Sequence, residues 1–126
     1  MVKLTFCVRR LAALSEAEFH RYWRDVHGPL VLRHAPALGI RRYVQTHALA
    51  GGVSEALRAA RAAAAPFDGI AELWWDDLES LAAATSTAAG RRASEELLED
   101  ERRFIDLEGS ALWLNEEYVL LGDARG

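Results

Sequence analysis

Hydrophobic and polar positions alternate from Lys3 to Arg10, with Leu4, Phe6 and Val8 on one side and Thr5, Cys7 and Arg9 on the other, which predicts a first strand. Ser15 opens a helix. Glu18 follows three residues later as a capping box, and Leu14 with Phe19 approximates a hydrophobic staple. Phe19, Trp23, Val26 and Leu30 step by three or four residues and define the expected buried stripe. Gly28-Pro29 is expected to interrupt this helix, with a short turn over 29–34 starting on proline, and Pro36 and Gly39 close the connection. Ile40 to His47 alternates again as a second strand. Residues 50–66 are Ala-rich, with helical propensity but a weak apolar face, and read as an insertion carrying a surface helix. After the turn Phe67-Asp68-Gly69, Ile70 to Trp75 forms a third strand, and Asp76-Asp77 caps a helix through Leu78 and Leu81. Thr85 to Gly90 punctuates. Arg91 to Asp106 reads as a long helix whose charged run EELLEDERR is a solvated face with i,i+4 pairs. Ala111 to Leu121 is the last strand, and the tail 122–126 is expected to fray.

The order β-α-β followed by β-α-β is that of an α+β, ferredoxin-like split βαβ fold: a four-stranded antiparallel sheet with helices on one face. The other face would be left bare. On the second strand one alternating set is Tyr43, Gln45 and His47. On the third, Glu72 and Trp74 oppose Ala71, Leu73 and Trp75. A sheet face bearing aromatic rings needs cover. A second copy of the chain supplies it most economically, the two sheets closing as a two-fold dimer with a mixed polar and aromatic cavity between them.

The chain has 126 residues, which predicts one domain over 1–126, large enough to bury roughly two-thirds of its unfolded surface without staples. The net charge of −4, with no basic block, argues against nucleic acid as a partner. A single cysteine, Cys7, rules out an intrachain disulfide, suits a reducing cytoplasm, and reads as a small buried hydrophobe. The N-terminal apolar run is too short for a signal peptide, and no apolar stretch approaches the ~20 residues that span a bilayer, so no membrane partner is expected.

Candidate chemistry converges on a few residues. His27 stands at the expected helix end, where the dipole favours imidazolium and would raise its pKa, and imidazole moves protons near neutral pH. C-terminal capping is its plainer role. Tyr43 can donate a proton or hold an oxyanion, Gln45 can orient a carbonyl, and His47 can act as a second base. All three share one strand face. Glu72 sits in the apolar run IAELWW, either inside a dimer cavity with a raised pKa or paired with an arginine such as Arg9 or Arg41. Trp74 and Trp75 point to opposite faces, one to the core and the other to a cavity wall able to stack on a planar substrate. Trp23 belongs to the core. His20 and His34, with His27, recur every seven residues, but this is not the i,i+4 spacing of a helical metal pair, and both are expected at the surface. No phosphate-binding glycine loop or nucleophile elbow occurs, so neither metal nor cofactor is expected.

The runs FHRYWRDVHGPLV, LGIRRYVQTH, FDGIAELWWDD, DERRFIDL and NEEYVLL together resemble the EthD family of dimeric α+β barrel proteins, from Lys3 to Leu121. The family takes its name from a protein linked to bacterial degradation of ethyl tert-butyl ether, and an oxidoreductase label often travels with it. Similar barrels include cofactor-free enzymes that isomerise muconolactones or act on aromatic polyketides. The resemblance implies a homodimer and a hydrophobic or aromatic small-molecule ligand. Together with the convergence of His27 on the face of Tyr43, Gln45 and His47, it points to a cofactor-independent enzyme working by acid/base proton transfer on a planar carbonyl-bearing or phenolic metabolite: an isomerase, dehydratase, cyclase or related monooxygenase. His27 and Tyr43 would be catalytic, and Gln45, His47, Glu72 and Trp74 would contact substrate. The alternative is a non-catalytic binding or accessory protein that supports an oxygenase in ether or aromatic degradation.

Overall fold

The computed structural model describes residues 1–123, so the end of the expected fraying tail, 124–126, lies outside the described residues. The elements run β1 (Val2–Val8), α1 (Glu16–Tyr22), a π turn (Trp23–His27), α2 (Gly28–Leu38), β2 (Arg42–His47), α3 (Gly52–Ala60), β3 (Gly69–Trp75), α4 (Leu78–Ser86), α5 (Ala88–Glu101) and β4 (Ala111–Glu116). The four strands are ordered β2-β3-β1-β4 and every neighbouring pair is antiparallel, the ferredoxin-like α+β arrangement. Among the described residues no helix is long and apolar enough to cross a membrane.

The Ser15 capping box forms, with reciprocal bonds between Ser15 and Glu18. Downstream the expected helix break does not occur. Proline at 29 cannot donate to the carbonyl four residues back, and its ring crowds that carbonyl. The chain responds by widening rather than ending: the Gly28 N–H bonds the Trp23 carbonyl five residues back, and α2 continues at once. The buried stripe shifts with it. Phe19 and Trp23 are in the core as expected, but the next inward residues are His27 and Val31, whereas Val26 is 49% exposed. Pro36 lies inside α2 rather than after it, and Gly39 ends that helix in the left-handed region, at φ 69°.

The later boundaries also differ from the sequence pattern. Thr87 accepts a bond from the Gly90 N–H and so starts α5 earlier than Arg91, while α5 ends at Glu101 and the following turn leads to an isolated bridge between Arg10 and Ile105. The strand β4 stops at Glu116, because its partner β1 ends at Val2; Tyr118 to Leu121 have no strand to pair with and stay exposed. The Ala-rich insertion carries α3, none of whose residues is buried.

Register fixes the two faces of the sheet, since directly paired residues share a face. Leu4 pairs Leu73, which pairs Tyr43; Phe6 pairs Ala71, which pairs Gln45. This set lies under the helices and packs on Phe19, Trp23, Phe104 and Ile105 near one end and on Val31, Leu38, Ala93 and Leu97 near the other. The opposite set, including Lys3, Thr5, Cys7, Glu72 and Trp74, forms the face without helices. Cys7 is half-buried there rather than in the core, and burial pushes its thiol pKa up.

Trp23 reaches the sheet only because residue 69 has no side chain. A Cβ at Gly69 would lie 2.4 Å from the Trp23 ring and 2.6 Å from the Thr46 carbonyl oxygen. Gly69→Ala is therefore expected to destabilise the fold by about 1–3 kcal/mol through overpacking. Urea denaturation would measure it, and an unchanged midpoint would show that Trp23 is not fixed as described.

Candidate active site

The residues Tyr43, Gln45 and His47 lie on the helix-facing side of β2, and His27 faces them from the π turn. His27 and Tyr43 share a cavity of about 270 Å³ between sheet and helices of one chain, lined also by Trp23, Leu73 and Glu101 among others, whereas Gln45 and His47, expected to contact substrate, do not line it. This corrects the expectation of a cavity between two sheets: the polar set of β2 lies on the helix side because its neighbours across the strands are the core residues Ala71 and Leu73. Glu72 and Trp74, expected with them, lie on the opposite face, where register places every residue paired in that phase. Glu72 accepts a hydrogen bond from Lys3 Nζ at 2.7 Å, not from Arg9 or Arg41. The Trp74 indole donates to Glu117, with Arg42 and Lys3 above its ring. Of the two β3 tryptophans it is Trp75 that lines the cavity, its indole donating to the Leu38 carbonyl at 2.7 Å.

His27 is 5% exposed and sits within continuous helix, not at a helix end. The expected dipole effect is thus absent, and its pKa is lowered, not raised. Burial is the main cause, partly opposed by the hydrogen bond and charge of Asp100. Its Nδ1 lies 2.7 Å from Asp100 Oδ2. Burial also works to raise the Asp100 pKa, but hydrogen bonds from Tyr22, His27 and Arg103 outweigh it and hold the carboxyl below its ordinary range. The stable pairing is a neutral imidazole giving its Nδ1 proton to a carboxylate. Nε2 then carries the lone pair. No buried side-chain nitrogen or oxygen among the described residues lacks a partner, and Nε2 forms no hydrogen bond, so it keeps open contact with the cavity. The Phe104 ring packs on the imidazole at 4.9 Å between centroids and limits its rotation.

Tyr43 is oriented by a one-way chain of hydrogen bonds. The Trp23 carbonyl can only accept, so the Gln45 group 2.8 Å from it is the NH₂. The same Nε2 donates its other proton to the Tyr43 oxygen at 2.7 Å. Gln45 Oε1 then faces His47 Nε2 at 2.8 Å, which must carry a proton, and neutral His47 accepts at Nδ1 from His20 Nδ1 at 2.7 Å. His20, expected at the surface, is half-buried by this contact. With its oxygen already accepting from Gln45, the phenol has its own proton free for the cavity. Burial pushes the Tyr43 pKa up to about 12, against hydrogen bonding from Gln45 and Trp23, so it stays a donor. Burial also lowers the His47 pKa, helped by His20 and Arg24. Gly28 leaves room for the close approach of Gln45, since a Cβ there would stand a tight 3.2 Å from Gln45 Nε2.

Asp100 and Glu101 escaped sequence reasoning because they lie in a strongly charged run. Their position carried the signal: they fall three and four residues after Leu97 and four and three before Phe104, on the apolar stripe. Glu101 lines the cavity without a hydrogen-bond partner among the described residues, and burial, with the Asp100 charge, pushes its pKa up to about 7. Among the described residues no group of three or more His, Cys, Asp or Glu is arranged to hold a metal ion. The His20–His47 contact is a pair, with both facing nitrogens committed to each other.

A ferredoxin-like sheet with a ligand-sized, dyad-bearing cavity beneath its helices defines a small α+β protein built around an internal site. The chain belongs to the EthD family: the family model for the EthD domain matches residues 12–108. An EthD family protein from Bacillus halodurans shares 24% identity, with 94% of this chain and 99% of that chain covered and a TM-score of 0.63. A dimeric protein of ferredoxin-like fold from Bacteroides fragilis shares 9% identity over 92% of this chain and 95% of its own, with a TM-score of 0.58. A variant of SnoaB, a cofactor-independent oxygenase from Streptomyces nogalater, shares 16% identity over 96% and 98% of the two chains, with a TM-score of 0.50. Comparison with curated proteins found no match.

The environment of Glu101 makes stability pH-dependent. Its pKa rises from 4.5 to about 7 on folding, so between those values the folded chain holds a proton that the unfolded chain has released. Stability from this group therefore falls as pH rises through that window and stays low above it. Glu101→Gln is expected to stabilise the protein by on the order of 2 kcal/mol at about pH 8 and to change little at about pH 4. Denaturation curves at both pH values measure the difference; an equal effect at both would mean that Glu101 is an ordinary exposed carboxylate.

Proposed function

We propose that this chain is a small cofactor-independent enzyme acting by acid/base proton transfer on a planar carbonyl-bearing or phenolic metabolite, lactone- or polyketide-like in size and shape. The observation that carries this reading is the buried His27–Asp100 pair, which presents a basic Nε2 to an apolar cavity that also receives the Tyr43 hydroxyl proton. His27 is the base and Tyr43 the group that holds developing negative charge on oxygen. Gln45 and His47 act through Tyr43 by fixing which way the phenol donates. A cavity of about 270 Å³ is near the lower end of ligand sites, suited to a molecule of one or two rings. The cofactor-independent oxygenase among its structural relatives is consistent with chemistry that uses the chain's own side chains.

Two copies are proposed to pair through the face without helices, in keeping with the dimeric relative. On that face Trp113 is 49% exposed, and the unpaired apolar run Tyr118 to Leu121 lies beyond the end of β4. Light scattering at micromolar concentration is expected to give twice 14.0 kDa; a stable monomer would remove the paired-sheet reading.

The catalytic reading is tested without knowing the product, through exchange of the α-hydrogens of 2-tetralone, a two-ring ketone, in heavy water followed by NMR. The wild-type chain is expected to accelerate exchange. His27→Asn should lower the rate on the order of 10²–10⁴-fold, the usual worth of a positioned base. Tyr43→Phe should lower it on the order of 10²-fold. If neither substitution slows exchange of this or any other ketone the protein turns over, the residues bind rather than catalyse, and the accessory-protein alternative stands.

A further inference from the structure

The geometry points to Glu101 as a further catalytic residue: a neutral carboxylic acid that joins Tyr43 in a two-donor oxyanion hole, committing the cavity to ketone or enone substrates that pass through an enolate. This inference rests on the reading of the cavity as a proton-transfer site. Three observations carry it. Glu101 lines the same cavity as His27 and Tyr43. Its carboxyl has no hydrogen-bond partner among the described residues, although its neighbour Asp100 has three donors. Tyr43 lines that cavity too, and the Glu101 charge lies near enough to oppose its ionisation.

An unpaired carboxylate in an apolar cavity is costly, and the group avoids that cost by staying protonated. The two carboxyls, one residue apart, are thereby driven to opposite states. Asp100 is ionised by its donors and serves His27. Glu101, near about pH 7, still carries a proton in much of the population and can donate it. Enzymes that hold a neutral carboxylic acid beside a tyrosine use the pair to bind an enolate oxygen.

The step balances with groups the chain supplies. His27 Nε2 takes a proton from the carbon beside the substrate carbonyl. The electron pair of that C–H bond becomes the C=C bond of the enolate, and the carbonyl π pair moves to oxygen, where the Tyr43 and Glu101 O–H groups hold it. The imidazolium, stabilised by Asp100, returns its proton to the same carbon, giving exchange, or to the far end of a conjugated system, giving isomerisation. An ionised Glu101 would instead repel the enolate.

The probe for this pocket is 3,4-dinitrophenolate, a planar oxyanion whose absorbance reports its binding. The charged or titratable groups around Glu101 are its chain neighbours Asp100 and Arg102, with His27 from the π turn and Tyr43 from β2 lining the same cavity. Because His27 also gains charge in acid, the decisive comparison is between wild type and Glu101→Gln, which keeps a donor but cannot ionise. Wild type is expected to bind the probe at least about tenfold more weakly at about pH 8.5 than at about pH 6.5. Glu101→Gln should show the smaller pH change due to His27 alone, and Glu101→Ala should bind weakly at both values. Identical pH profiles for wild type and Glu101→Gln would overturn the inference. If Tyr43→Phe still weakens binding in that case, the proton-transfer reading survives without Glu101. Failure of wild type to bind the probe at millimolar concentration would overturn both.

Discussion

The carbonyl oxygen of Trp23 accepts two hydrogen bonds, one from the Gly28 N–H across the π turn and one from Gln45 Nε2 at 2.8 Å, and the geometry of the site is built outward from it. The first bond records the widening that lets helix continue through Pro29, and with that widening His27 takes the inward place that an unbroken α-helical stripe would give to Val26. The second settles the Gln45 amide, which no other partner could, since Tyr43 and His47 can each donate or accept. Once the amide is settled, the Tyr43 proton and the His47 tautomer are settled too. A bulge in one helix thereby sets the direction of a hydrogen-bond chain running from the half-buried His20 to the cavity.

Buried polar networks are costly unless fully satisfied. This one divides the burden unevenly. Asp100 is 4% exposed and takes hydrogen bonds from Tyr22, His27 and Arg103, each charge-assisted. Arg103 reaches it from the solvent side, so part of the countercharge lies in water. Truncating Asp100 would leave three donors oriented toward nothing, whereas Glu101 has no such dependants. Adjacent residues of one type thus differ in the way that distinguishes acid from base in a proton-transfer site: by the number of donors around each, not by their own chemistry.

Much of this was legible in the sequence. The alternation of β1 to β3, the Ser15 capping box and the repeated β-α-β order specify the ferredoxin-like sheet, because each rests on local spacing that tertiary contacts reinforce. The phase of β2 was legible as well: Tyr43, Gln45 and His47 do share a face. Which face was not, because two alternating sets differ only in what covers them, and the helix layer is a property of the whole chain. For the same reason Glu72 and Trp74 were grouped with residues on the other side of the sheet. The π turn was hidden because Gly28-Pro29 is the ordinary mark of a helix end, and the sequence holds no sign that the hydrogen-bond ladder can widen to pass it. Asp100 and Glu101 were hidden by composition: a run with five acidic residues among its nine reads as a wet face until its spacing from Leu97 and Phe104 is counted.

The two faces of the sheet carry different kinds of polar chemistry, and in the proposed reading this separates assembly from catalysis. On the face without helices Lys3 bridges Glu72 and Glu117 beside the Trp74 ring, a cluster of opposite charges within reach of water. Such pairs contribute little to stability on their own but favour one orientation of a partner over another. On the helix face the charges are few, enclosed and bonded to particular donors. A second copy seated on the open face would cover the ion pairs, while one chain supplies the lining of the cavity from β1 to β4. In the proposed reading, substitutions at Lys3 or Glu72 therefore bear on pairing, and substitutions at His27, Tyr43 or Glu101 on chemistry. A residue that altered both would have to act through the strands themselves, where Leu73 and Glu72 are neighbours in sequence but face opposite ways.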